Sequence, residues 1–159
     1  DAGISYIKNV LEATKTLLKN PNDLDTRSII MMGASLSTSS RLGIGKEEAY
    51  AYDIYELEFL PEKLFGSSYR RSLTSIFPRF LEAMGKRHKE DVRKYYLDVF
   101  GFDSSIEESS RKLVALFSDF GVDMYYDGII NREQVGCIPC DTELDENEIF
   151  EMINGLIRK

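Results

Sequence analysis

Residues 47–84 read EEAYAYDIYELEFLPEKLFGSSYRRSLTSIFPRFLEAM, and the reading of this stretch decides the fold. Tyr50, Ile54 and Leu57 recur at helical spacing, as do Leu73, Ile76, Phe77, Phe80, Leu81 and Met84. The spacing predicts one helix over about 47–59 and a second over about 68–84, joined by a short Pro/Gly/Ser break. Both are too apolar to lie on a surface, so they are expected to form a central helical hairpin on which other helices pack.

Working outward, Ile4, Ile7, Val10, Leu11, Leu17 and Leu18 give residues 4–18 one apolar face. Asn20-Pro21-Asn22-Asp23 ends that helix, because proline biases the preceding residue away from helical angles. Asp23 or Asp25 is placed to cap a helix over about 25–40. That helix is rich in small residues (Gly33, Ala34, Ser35, Ser37), which allow a neighbour to approach closely. Beyond the hairpin, a helix is expected over 89–100, ended by Gly101. Another is expected over 106–120, capped by Ser104 or Ser105, with Glu107 and Glu108 at its positive end and Gly121 behind it. Residues 122–144 read as irregular, with Asn131 opening a short turn. Asp145 and Glu148 then form a capping-box pattern before the stripe Ile149, Met152, Ile153, Leu156 and Ile157. No β alternation, repeat or low-complexity segment interrupts this pattern. The expectation is an all-α chain, a single helical-bundle domain of about seven helices spanning residues 1–159.

The 159 residues suffice for one cored domain, and 43% hydrophobic with 30% charged residues is an ordinary soluble composition. No run approaches the ~20 apolar residues of a membrane span. A net charge of −7 argues against binding a nucleic-acid backbone. The start, DAGISYIKNVLEATK, is amphipathic without a signal-peptide pattern and lacks an initiator methionine, as a processed or truncated piece would. Two cysteines fit a reducing, cytoplasmic setting.

Chemistry-bearing motifs are few. Cys137 and Cys140 make one CxxC, half of a zinc site, and their flanks read as loop rather than the strand and helix of a redox motif. Gly43-Ile44-Gly45-Lys46 lacks both the preceding strand and the following Ser or Thr of a phosphate loop, and reads as a turn. His88, the single histidine, lies among Lys86, Arg87, Lys89 and Arg93, where its charged form is disfavoured. Asp53 and Glu56 share a helix face able to hold a hard cation, although solvated helix charges are the simpler reading. Asp127 and Asp141 are loop acids with no visible partner.

Set end to end, several pieces resemble the C-terminal helical domain of the iron-containing (group III) alcohol dehydrogenases, in particular the butanol-dehydrogenase-like branch, a fold shared with dehydroquinate synthase. They are Leu17-Leu18-Lys19-Asn20-Pro21-Asn22-Asp23 with Arg27, Met31-Met32-Gly33-Ala34-Ser35-Leu36, Tyr52-Asp53-Ile54-Tyr55 through Phe77-Pro78, and Leu144-Asp145-Glu146-Asn147-Glu148-Ile149. The resemblance covers nearly the whole chain and rests on the order and spacing of the pieces. It implies a parent that uses NAD(P) and Fe or Zn. Aligned on Phe77-Pro78, the family's two hairpin histidine ligands fall on Tyr55 and Tyr69. A phenol titrating near ~10 is a poor ligand at pH 7 where imidazole is a good one. The family's other two ligands and its nucleotide-binding loop fall upstream of Asp1.

Three functional readings follow. The first is a diverged, non-catalytic helical domain without an intact metal site, its tyrosines (Tyr50, Tyr52, Tyr55, Tyr69) plugging the old cleft and no cofactor bound. The second is the substrate-side half of an NAD(P)-dependent alcohol or aldehyde oxidoreductase, partnered by an N-terminal nucleotide-binding domain of the same protein, with Tyr55 or Tyr69 polarising a carbonyl. The third is an unrelated all-α interaction module. Each is compatible with a homo-oligomer.

Overall fold

The computed structural model describes residues 2–37, 53–138 and 140–158. The described residues are all-α, with seven α-helices of at least seven residues and no strand. A single parallel bridge joins Tyr126 to Ile157. The expected Gly43–Lys46 turn, Tyr50 and Tyr52 lie outside the described residues. The chain divides into two compact units, one of residues 1–48 and 95–102, the other of residues 49–94 and 103–159.

In the first unit, α1 (Ala2–Lys19) and α2 (Leu24–Ser37) pack on each other. Asp23 caps α2 by accepting from the Thr26 N–H at 2.9 Å. Arg27 donates back to the Pro21 carbonyl at 2.7 Å, fixing the connection. The helices approach closely at Gly33, where a Cβ would stand 2.9 Å from Tyr6 Oη and 3.0 Å from Val10 Cγ2. The same unit contains a π-helical turn, Tyr96–Phe100, ended by Gly101 at φ 72°. The single helix expected over 89–100 is therefore corrected: α6 (Lys89–Tyr95) stops where the π turn starts. The wider turn accompanies an aromatic group in which Phe100 and Phe102 stack at 5.6 Å and Tyr95 meets Phe100 edge-on at 5.9 Å.

The second unit is built on α5 (Tyr69–Met84), which touches α3, α4, α7 and α9. Its buried face carries Ile76, Phe80, Leu81 and Met84 together with Ser72 and Ser75. The helix expected over 47–59 is also corrected. Its described part is α3 (Asp53–Leu57), then a turn at Glu58, then α4 (Phe59–Phe65) through the supposed break. Pro61 explains the interruption, since it has no N–H for the Leu57 carbonyl and its ring crowds that oxygen. Gly66, at φ 64°, ends α4.

The helix α7 (Ile106–Asp119) lies against α5, with Ser109 and Ser110 among its buried residues. Ser110 donates to the Pro78 carbonyl at 3.0 Å. Ser105 caps α7, accepting from the Glu108 N–H at 3.2 Å. Two short helices complete the unit, α8 (Arg132–Gly136) and α9 (Glu146–Asn154), each opened by a capping box, Asn131 with Gln134 and Asp145 with Glu148.

One expectation about charged residues, that Asp127 lacks a partner, is corrected here. In the basic turn, Arg87 donates to both oxygens of Glu148, at 2.6 and 3.0 Å, and Lys86 lies 3.5 Å away. His88 Nε2 lies 3.0 Å from Glu143 Oε2. Asp127, too, has a partner, Arg158 Nε at 3.1 Å.

Candidate functional site

Tyr55 lies on α3 and Tyr69 is the first residue of α5. The two elements pack together, with Glu58 at the turn between α3 and α4. Tyr55 is 48% and Tyr69 50% exposed, so neither plugs a sealed cavity. The buried member of the group is Glu58, 3% exposed, whose Oε2 has no hydrogen-bond partner among the described residues. Its backbone is helical and its side chain caps nothing. Burial pushes the Glu58 carboxyl upward, and Glu62 one helical turn on adds like-charge repulsion. The Tyr69 hydroxyl is also pushed up, first by burial, then by Glu58, Tyr55 and Glu62. The two tyrosines at the resemblance's ligand positions thus share one electrostatic environment with two carboxyls, and Tyr69 is held further from phenolate, the form a metal takes.

Behind this group, α5 meets the segment after α7. Tyr126 is buried, its hydroxyl 2.9 Å from both Ser67 and Ser75. Its ring stacks on Phe65 at 4.6 Å and under the Arg71 guanidinium at 4.3 Å. Arg71 is held in turn by Asp123 at 2.9 Å. This network fixes the N-terminal end of α5, where Tyr69 sits.

The remaining sequence candidates converge elsewhere. Glu56 and Cys140 line a cleft of about 740 Å³ formed by α3, α8, α9 and the loop before α9. The Cys140 Sγ lies 3.8 Å from the Glu56 carbonyl and 3.6 Å from that of Ile138. Burial, and secondarily Glu56, pushes its thiol up. Cys137 is exposed where α8 ends, does not line the cleft, and both thiols are free. Asp53 opens α3, and its side chain lies outside the described ones. Among the described residues, no three His, Cys, Asp or Glu side chains converge as a metal site requires. Sequence reasoning placed Glu58 with Asp53 and Glu56 on or near the first hairpin helix but missed its burial, and missed the cleft, whose walls come from distant parts of the chain.

Compared with known proteins, the chain matches no family model, and no curated protein matches it.

Proposed function

We propose that this chain is a diverged helical binding module related to the C-terminal half of an iron-containing alcohol dehydrogenase, non-catalytic by itself. The observation that carries the reading is the grouping of Tyr55 and Tyr69 with the buried Glu58 and with Glu62. The resemblance assigns those two positions to metal-binding histidines, and a protonated phenol next to carboxylates is a weak substitute. A lost Lewis acid removes what would polarise a substrate oxygen in such an enzyme. The order of sequence pieces, from the Pro21 connection to the Asp145 capping box, supports the same descent.

The test is elemental analysis of the purified protein beside thermal melts with added Fe²⁺ or Zn²⁺. A specific ligand in excess raises the melting temperature by mass action. The proposal expects no stoichiometric metal and no shift. About one metal per chain with a clear shift overturns it.

A second reading draws on the same raised Tyr69 hydroxyl, half exposed and kept as a proton donor. In a longer NAD(P)-dependent oxidoreductase it would donate to a substrate carbonyl. Unchanged turnover of a longer protein carrying Tyr55→Phe and Tyr69→Phe excludes that role.

A further inference from the structure

The cleft between α3, α8 and α9 has a chemistry that the proposed function does not use. Its volume, about 740 Å³, falls within the range of small-molecule sites. Buried Val135, Leu144 and Ile149 supply an apolar floor. Three exposed carboxylates stand around it from three separate elements: Glu56 on α3, Asp141 in the preceding loop and Glu146 on α9. None of the three is in an ion pair among the described residues. Arg132 is the one cation among the described lining residues, and its guanidinium is already engaged. It reaches Asn147, lies 3.7 Å from Glu151 and covers the Phe150 ring at 4.5 Å. Three negative charges against one positive leave the described lining at −2. Such a cleft repels carboxylates and phosphates, and it offers an alkyl chain an apolar surface beside anionic groups.

We propose that this cleft binds a small organic ammonium ion, a primary amine on a short alkyl body. The alkyl part lies on Val135, Leu144 and Ile149, and the ammonium stands at the negatively charged rim to which Glu56, Asp141 and Glu146 contribute. The inference is independent of the dehydrogenase resemblance. It requires only the cavity, its charge and its apolar floor.

Cys140 supplies the readout, because its thiol lines the cleft whereas Cys137 does not. The two alkylation rates are followed by mass spectrometry at mildly alkaline pH, with n-hexylammonium, hexanoate or hexanol added. Hexylammonium at ten times its dissociation constant is expected to slow Cys140 about tenfold by occupancy, leaving Cys137 unchanged. Hexanoate is expected to protect little, and hexanol less than the amine. Glu56→Gln and Asp141→Asn, both at exposed positions, are each expected to weaken the amine roughly two- to fivefold, as exposed charge pairs do. A circular-dichroism melt confirms that each variant is folded. The proposal is overturned if Cys140 is not protected, if hexanoate or hexanol protects as well as the amine, or if the paired Glu56→Gln, Asp141→Asn variant keeps full protection.

Discussion

The contact between the basic turn and α9 is the most exposed to a quantitative test. Arg87 grips Glu148 through two hydrogen bonds, with Lys86 adding charge. These contacts, the Arg87 hydrogen bonds first, hold the Glu148 carboxyl down at about 2, against an ordinary 4.5. The drop converts to an upper bound of about 3 kcal/mol of folding stability. The Glu148 side chain is 13% exposed but Arg87 is 34% exposed, so solvent screening reduces the expected value to roughly 1 to 2 kcal/mol. The folded-state value lies below the unfolded one, so the contribution is complete above about 4.5 and disappears as pH falls toward 2. Glu148→Gln isolates it, because glutamine still accepts the Asp145 N–H and keeps the capping box. Urea unfolding of both proteins from pH 7 to about pH 2 should show the variant roughly 1 to 2 kcal/mol weaker at neutral pH, with the gap closing across that window. A gap that is the same at both ends, or absent at pH 7, refutes the ion-pair account.

Three further perturbations have worked directions. Gly33→Ala gains helix propensity but forces Tyr6 and Val10 aside, so α1–α2 should lose about 1 to 2 kcal/mol, read by hydrogen exchange in that unit, and Tyr6→Phe should recover part of it by removing the nearer atom. Tyr126→Phe removes the hydroxyl shared by Ser67 and Ser75 and should cost about 1 to 2 kcal/mol in urea unfolding, with the stacking on Phe65 intact. Glu58→Gln removes a buried charge whose carboxyl is raised in the folded state. The penalty it relieves is absent below the unfolded value of about 4.5 and develops as pH rises, so the variant should gain stability at pH 7 and little at pH 4.

Much of the helical order was legible in local chemistry. The apolar stripes of α1, α5, α7 and α9, the caps at Asp23, Ser105 and Asp145, and the glycine ends at Gly101 and Gly121 are set by residues within a turn or two of each other. The break at Glu58 was harder to see, because Pro61 acts four residues upstream, on the Leu57 carbonyl. The π turn at Tyr96–Phe100 was not legible, since nothing in its spacing distinguishes it from the α-helix before it. Contacts across the chain were not legible either: Arg87 and Glu148 are 61 residues apart, His88 and Glu143 are 55 apart. Ser110, buried against the Pro78 carbonyl of α5, and the buried Ser109 beside it read as polar in the sequence and declare themselves through packing. The Tyr55–Tyr69 grouping was anticipated only through the family resemblance, and its buried Glu58 was not.

The central claim is that tyrosines occupy the positions where two ligands would stand. Its most direct test places histidines there, Tyr55→His with Tyr69→His, in a Cys137→Ser, Cys140→Ser background that removes the competing thiols. Melting temperature is then followed as Zn²⁺ is added to this chain and to the same background with both tyrosines kept. With Glu58 and Glu62 beside them, the two imidazoles should create a Zn²⁺-dependent rise in melting temperature that the tyrosine chain lacks. A rise of equal size in the tyrosine chain, or none in the histidine chain, would contradict the account.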